Sequence, residues 1–302
     1  MQYSTFAAID IGSYDVILEI FEISKKQGIR SVDKICHRME LGKDTYTLGK
    51  IRPEMEEELC RVLADFVRIM EGYRVDDYRA TASSAISEAS NSLYVLGKIH
   101  QLTGLSVTVL SNSEQRFLSY KALAAMEDNF NKIIEKGTAI LDLDGGSFQI
   151  SLFDKDALVT TQNIRMGSLR IRERLAGIQS ETEHYEEMVE ELIWNEVSSF
   201  KKMYLKDRKI ENIMLIGDVF TDSVYQNIEE KTTKIISREN FNTWYEKIIR
   251  QSPMELAVKL GIPLENASLM YPSAVIYKCL IDMMGAEHIW DSGRAYDHGG
   301  IA

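Results

Sequence analysis

The chain has 302 residues, 45% hydrophobic and 27% charged, with a formal net charge of −11. That length allows two modest domains with their own cores, and the composition fits a globular protein. The acidic balance excludes a general nucleic-acid binder, and no apolar run approaches the roughly 20 residues of a membrane span.

Other features of the sequence point to the cytoplasm. No basic segment with an apolar core and a cleavage site opens the sequence, so no export signal is expected. Cys36, Cys60 and Cys279 are scattered without metal-type spacing and read as reduced packing residues.

In chain order, Phe6 to Ile11 reads as an apolar strand, broken at Gly12-Ser13 and followed by a second strand from Val16 to Phe21. Ser31 to Leu41 reads as a third strand leading to a turn at Gly42-Lys43-Asp44. Pro53 opens a helix with Met55, Leu59, Val62, Leu63, Phe66, Ile69 and Met70 on one face, ended by Gly72. Tyr78 to Thr81 is a short strand, and the run Ala82 to Asn91 leads into a helix that reaches His100. Leu105 to Leu110 is another strand. Ser111 and Glu114 then fit a capping box that opens a helix through Ala125. Met126 to Gly137 is polar and reads as a domain boundary.

The second half opens like the first. Ala139 to Leu143 is an apolar strand, Asp144-Gly-Gly-Ser147 a turn, and Phe148 to Phe153 a returning strand. Helical character resumes at Gly167. Ser180 and Glu183 suggest a second capping box, opening a long helix that turns Tyr185, Met188, Val189, Leu192, Ile193, Val197 and Phe200 inward. Ile213 to Ile216 is a buried strand ending at Gly217-Asp218. The remainder is mostly helical, with Pro263 and Pro272 as punctuation and a glycine-rich tail after Asp291.

The two strand–turn–strand units echo each other. Asp10 answers Asp142, and Ser13 answers Ser147 with a slightly longer second loop. Glycine turns of this kind can offer backbone N–H groups to a phosphate, and Asp142 could hold a hydrated metal or a water. An ordinary hairpin explains either turn alone equally well. The repeat is the stronger signal: it predicts two similar domains with the turns facing each other and a ligand between them. A basic patch, Arg165 to Arg174, carries four arginines in ten residues and reads either as a polyanion contact or as a solvated helix face.

The order of motifs resembles the Ppx/GppA family of exopolyphosphatases and pppGpp phosphohydrolases over essentially the whole chain. The matching segments are Asp10-Ile-Gly-Ser13, Ser83 to Asn91, Val109 to Gln115, Asp142-Leu-Asp-Gly-Gly-Ser147 and Arg165-Met-Gly167. The resemblance implies an α/β fold of two duplicated actin-like (ribonuclease H-like) domains with mixed sheets, helices on their faces and an interdomain cleft. The expected domains are 1–126 and 127–302, the second with a helical extension, as in the short family members. It implies stepwise hydrolysis of terminal phosphate from polyphosphate or a guanosine phosphate such as pppGpp, with Mg²⁺. By that likeness Gly12, Ser13, Asp144, Gly145, Gly146, Ser147 and Arg165 would hold phosphate, and Asp10 and Asp142 would hold metal. Glu114, Gln115 and Asp142 would occupy the catalytic positions. No membrane contact is implied, and a homodimer is compatible with the family.

Departures from the family pattern share one direction. Tyr14 and Asp15 stand where the first loop usually has Asn and Ser, and Ser87 where arginine is usual. Gln115 stands at the base position, Asp144 replaces a glycine and Gln149 replaces a second carboxylate. The later loop, Gly217 to Thr221, lacks its second glycine, and Asp297 stands where the tail usually has arginine. An amide cannot take a proton from water, and a positioned base is typically worth about 10²–10⁴ in rate. Like charges about 4 Å apart repel by roughly 4 kcal/mol at an effective dielectric near 20, so Asp15 and Asp144 oppose phosphate. Loss of arginine at Ser87 removes a bidentate clamp. The expectation is a family member with impaired catalysis and a binding or regulatory role. Two alternatives are a working exopolyphosphatase with Glu114 or Asp144 as its base and a non-enzymatic protein-interaction module.

Overall fold

Alternating burial organises the first strand, Ser4–Ile11 (β1), whose Ala7, Ile9 and Ile11 are at most 1% exposed. The computed structural model describes residues 3–26, 28–126, 130–176, 185–206, 208–216 and 235–291. β1 pairs antiparallel with Asp15–Ser24 (β2), which pairs antiparallel with Gly28–Arg38 (β3). On its other side β1 runs parallel to Asp77–Ala82 (β4), and β4 runs parallel to Val107–Val109 (β5). The result is a five-stranded mixed sheet in the order β3-β2-β1-β4-β5.

Helices of this half are Leu41–Leu48 (α1), Pro53–Tyr73 (α2), Ser84–Ser87 (α3), Ser92–Thr103 (α4) and Asn112–Met126 (α5). Proline at the first position starts α2, because its missing N–H would have no helical partner there. Leu59, Val62, Leu63, Phe66 and Met70 recur at helical spacing and are all buried. The helix runs past Gly72 to Tyr73 and closes on Arg74, which takes the left-handed conformation (φ 53°). Gly42 and Asp44 lie in the first turn of α1, so the turn expected there is helical. Its cause is tertiary: the Gly42 N–H donates to the Ser13 carbonyl at 2.7 Å.

The second half repeats this plan. Thr138–Leu143 (β6), Phe148–Asp154 (β7) and Ala157–Ile164 (β8) form consecutive antiparallel pairs. β6 also runs parallel to Asn212–Ile216 (β9). His288–Asp291 (β11) adds in parallel to β9, and Ile235–Ile236 (β10) pairs antiparallel with β11. The six-stranded order, β10-β11-β9-β6-β7-β8, read backwards matches the first sheet strand for strand from β8 to β11.

The helices here are Phe130–Ile134 (α6), Ser168–Arg174 (α7), Tyr185–Phe200 (α8), Arg238–Ile249 (α9), Pro253–Leu260 (α10) and Leu264–Met284 (α11). The polar stretch expected around Met126 to Gly137 contains α6, whose Phe130, Ile133 and Ile134 are buried. Val189, Ile193, Val197 and Phe200 of α8 are fully buried, each contributing about 1.5–3 kcal/mol of gross transfer energy. Pro272 does not punctuate the chain. It lies inside α11, most of whose residues are buried, so packing outweighs the lost backbone hydrogen bond. The Ser180–Glu183 box, the Gly217–Thr221 loop and Asp297 lie outside the described residues.

By packing, the chain divides into two units, one up to Ala122 and one from Leu123, and each has its own apolar core. Cys60 packs in the first of these cores and Cys279 against the second, whereas Cys36 is exposed on β3 and is no packing residue. Among the described residues no helix is long and apolar enough to cross a membrane.

Candidate functional site

Strand register fixes the correspondence between the two turns. Ile11 pairs with Val16 and Leu143 with Phe148, so each turn has four residues, Gly12 to Asp15 and Asp144 to Ser147. Matching hydrogen bonds close them, Gly12 N–H to the Asp15 carbonyl at 2.9 Å and Asp144 N–H to the Ser147 carbonyl at 3.0 Å. The loops are therefore equal in length, and Ser13 does not answer Ser147: Asp15 does. Asp10 and Asp142 do correspond, each the penultimate residue of its central strand. Both three-strand units also shift register at one place, between Ile20 and Phe21 and between Leu152 and Phe153.

The second turn is held from one side by α7. Ser168 N–H donates to the Asp144 carbonyl (3.2 Å), Arg170 N–H to the Gly145 carbonyl (3.0 Å) and Arg170 Nε to the Gly146 carbonyl (2.8 Å). A trans peptide points its C=O and the next N–H in opposite directions, so the N–H groups of Gly146 and Ser147 point away from α7. Gly167 makes this approach possible. A Cβ there would lie 2.2 Å from the Asp144 carbonyl oxygen and 2.4 Å from the Gly145 carbonyl carbon.

Side chains around this turn are polar. Asn163 Nδ2 donates to Ser147 Oγ at 3.2 Å, and the Gly145 N–H donates to Asp144 Oδ1 at 2.6 Å. Asp142, Gln149 and Asn163 stand directly opposite one another on β6, β7 and β8 and so share one face of the sheet. Asp142 is 6% exposed and Gln149 7%. Among the described residues Gln149 Oε1 is buried without a hydrogen-bond partner, a state that costs about 1–3 kcal/mol unless water or a ligand supplies a donor. Arg165 follows β8 directly, level with Ser147, and is exposed. Of the other arginines in the basic patch, Arg170 holds the turn, and Arg172 binds Glu173 (2.7 Å) and Ser268 (2.8 Å). These two are structural rather than a solvated face.

The first turn has the same backbone and different side chains. Gly42 N–H and Met39 N–H donate to the Ser13 and Tyr14 carbonyls at 2.7 and 3.1 Å, which turns the N–H groups of Tyr14 and Asp15 away from these donors. Ser13 is fully buried, and its hydroxyl is bonded to Tyr46 Oη (2.8 Å), itself bonded to Ser84 Oγ (2.8 Å). Asp15, 6% exposed, pairs with Arg38 at 3.3 Å from the facing position on β3. Asp10 Oδ1 accepts a long hydrogen bond from Thr81 Oγ1 (3.4 Å).

Glu114 closes the capping box expected of it. Its Oε2 accepts from the Ser111 N–H (2.9 Å) and hydroxyl (2.7 Å), and these bonds hold its carboxyl below the ordinary glutamate range. Gln115 sits in the first turn of α5, half-buried, and Ser87 is exposed at the end of α3. Residue reading missed Arg38, Tyr46 and Asn163. A signal for Arg38 was present in the Arg-Met dipeptide shared by Arg38-Met39 and Arg165-Met166.

Magnesium fits the donors at the two strand ends in kind. Among the described residues no group of three or more His, Cys, Asp or Glu forms a ready cage. Mg²⁺ is usually bound through one or two carboxylates together with substrate phosphates, which single aspartates such as Asp10 and Asp142 can supply. Beside Asp142, the buried Gln149 oxygen offers a further hard donor.

Comparison with known proteins gives these turns a context. The structure aligns with an exopolyphosphatase from Cytophaga hutchinsonii at a TM-score of 0.87 and 17% identity, covering 98% of this chain and 96% of that one. It aligns with a Ppx/GppA family member from Aquifex aeolicus at 0.76 and 19% identity, covering 99% and 96%. These structures establish the fold as α/β with two duplicated actin-like halves. In sequence, the chain is 21% identical over 310 residues to a bifunctional 3-dehydroquinate synthase/phosphatase of Fusobacterium nucleatum, covering 94% of this chain and 44% of that protein. It is 24% identical over 144 residues to exopolyphosphatase 1 of Mycobacterium tuberculosis, covering 47% of this chain and 40% of that protein. The chain thus spans less than half the length of these curated relatives. The model of the Ppx/GppA phosphatase family matches residues 19–302. With that match across nearly its whole length, the chain belongs to the Ppx/GppA phosphatase family.

Proposed function

We propose that the chain binds a phosphoanhydride, polyphosphate or a guanosine phosphate such as pppGpp, and hydrolyses it poorly or not at all, serving a binding or regulatory role. The observation that carries the binding part is the second turn. Its carbonyls are taken by α7 and its Gly146 and Ser147 N–H groups point the other way, with Arg165 level with Ser147. Outward N–H groups with an arginine at the adjoining strand position suit a terminal phosphate. When bound at the second turn, Mg²⁺ would neutralise phosphate charge, with Asp142 as the carboxylate of that unit to hold it; Asp10 is the corresponding carboxylate of the first unit.

The impaired part rests on what the remaining groups are doing. Gln115 has no proton-accepting carboxylate at the position where the family resemblance sets the base. Glu114 could replace it only by leaving its cap, and its lowered pKa makes it a weaker base for water. Asp144 accepts the Gly145 N–H and shapes the turn itself. Gln149 offers an amide opposite Asp142, so this facing pair has one carboxylate where an acid–base pair would need two.

Phosphate release from long-chain polyphosphate and from pppGpp, measured with Mg²⁺, tests this reading. Turnover is expected at least about 10²-fold below the 1–10³ s⁻¹ of ordinary enzymes. Turnover within that ordinary range would sink the impaired reading and favour a base other than residue 115. Failure to bind tripolyphosphate at all would sink the binding reading.

A further inference from the structure

Correspondence between the turns, taken residue by residue, sets Asp15 against Ser147 and Arg38 against Arg165. The first pair follows from equal loop length and matching closing hydrogen bonds. The second follows from the facing strands: Val16 pairs with His37 and Phe148 with Ile164, and the next residue of each partner strand is an arginine. Each turn therefore closes in the same way and has an arginine at the same register position. At its fourth residue the first has a carboxylate and the second a hydroxyl, the second turn's own carboxylate, Asp144, standing at its first residue and accepting the Gly145 N–H.

That carboxylate does not project into solvent. Asp15 is 6% exposed, and Oδ1 curls back over Gly12, only 2.8 Å from where a Cβ on residue 12 would sit. Its other oxygen, Oδ2, accepts from Arg38 Nη1 at 3.3 Å and from Cys36 Sγ at 3.8 Å. The Arg38 guanidinium also lies over the Tyr14 ring, 5.6 Å from its centroid. The absent side chain of Gly12 leaves room, and the Asp15 carboxylate fills it. Cross-strand pairing alone would explain the contact with Arg38. It does not explain the fold-back onto Gly12.

We propose that Asp15 is an internal anion that fills the first turn, neutralises Arg38 and excludes phosphate there, so that a phosphorylated ligand is taken by the second turn alone. This rests on the phosphate-binding reading of the second turn. It adds that Asp15 sets the specificity of the molecule by closing one of two built anion sites.

Calorimetric titration of the full chain with tripolyphosphate tests it, using wild type, Asp15→Ser, Asp15→Asn, Asp15→Ser with Arg38→Gln, and Ser147→Ala. Asp15→Ser copies the side chain of the second turn and should add a second binding event or raise affinity at least tenfold. Asp15→Asn keeps the shape, loses the charge and should give a smaller gain, which guards against loss of folding in the serine variant. Adding Arg38→Gln should cancel the gain. If wild type binds, Ser147→Ala weakens it and neither Asp15 variant changes affinity or stoichiometry while remaining folded by circular dichroism, this inference is overturned and the second-turn reading stands. If no variant binds tripolyphosphate, both fall.

Discussion

The turn at Gly12 to Asp15 and the turn at Asp144 to Ser147 are the same object built twice and finished differently. Both close with one hydrogen bond, both offer their carbonyls to the start of a following helix or the residues just before it, and both precede a strand with a bulge at the same place. Differences are confined to side chains. Ser13 is buried in a hydroxyl chain with Tyr46 and Ser84, and Asp15 is paired with Arg38. In the second turn Ser147 is met by the neutral amide of Asn163, and Arg165 is exposed. Each turn carries one carboxylate, and its place separates the two: Asp15 is the fourth residue of the first turn and pairs with Arg38, whereas Asp144 is the first residue of the second and accepts the Gly145 N–H.

The strongest way to break the comparison is at the helix start behind each turn. Gly167→Ala should cost about 3 kcal/mol and lower Tm markedly, because its Cβ would meet backbone atoms that cannot give way. Glu40, which precedes α1 as Gly167 precedes α7, should tolerate alanine within about 0.5 kcal/mol. Equal losses at the two positions, by thermal or urea unfolding, would mean that the second turn is not clamped as described.

A smaller effect should separate the two serines. Ser13→Ala removes a buried hydroxyl bonded to Tyr46 and should cost about 1–2 kcal/mol of stability, with no change in tripolyphosphate affinity. Ser147→Ala should do the reverse, leaving Tm almost unchanged and weakening tripolyphosphate about three- to tenfold. Parallel unfolding and titration of both variants would show whether stability and binding divide between the turns in this way.

The smallest change is expected from Gln115→Glu. A carboxylate there regains a proton acceptor, but Asp15 and Asp144 still oppose a highly charged substrate and Ser87 offers no clamp. Turnover should stay at least about 10²-fold below ordinary rates, with recovery requiring Asp15→Ser, Asp144→Gly and Ser87→Arg as well. Full turnover in the single variant would mean that Asp15, Asp144 and Ser87 do not limit catalysis.

Much of this architecture could be read from local pattern. Apolar runs interrupted by Gly12-Ser13 and by Asp144 to Ser147 announce hairpins over a few residues, and Asp10 and Asp142 fall at matching strand ends. Pro53 with its helical apolar spacing, and Ser111 with Glu114, are equally short-range signals that the fold respects. Reading failed where distant segments decide. Aligning the turns by residue type matched Ser13 to Ser147, whereas hydrogen bonding across the strands matches Asp15 to it. Gly42 looks like a turn residue until its N–H is seen to be anchored on Ser13. Pro272 looks like a helix breaker until the burial of the surrounding helix outweighs its cost. The strand His288–Asp291 has four residues and mixed polarity, and it exists because β9 lies beside it. The Asp15–Arg38 contact was illegible for the same reason, since it depends on the register of β2 with β3.

Cys36 turns the first turn into something that can be watched chemically. Of the three thiols, Cys60 is buried, and Cys279 is pushed up to about 11 by burial and by the nearby Glu190 and Asp282 carboxylates. Cys36 is exposed and its sulfur lies 3.8 Å from the Asp15 carboxylate. A thiol-directed dye at neutral pH should therefore label Cys36 first and, without any engineered cysteine, come to rest beside Asp15. Its reaction rate would report on what stands at residue 15, because the sulfur and that side chain lie in contact.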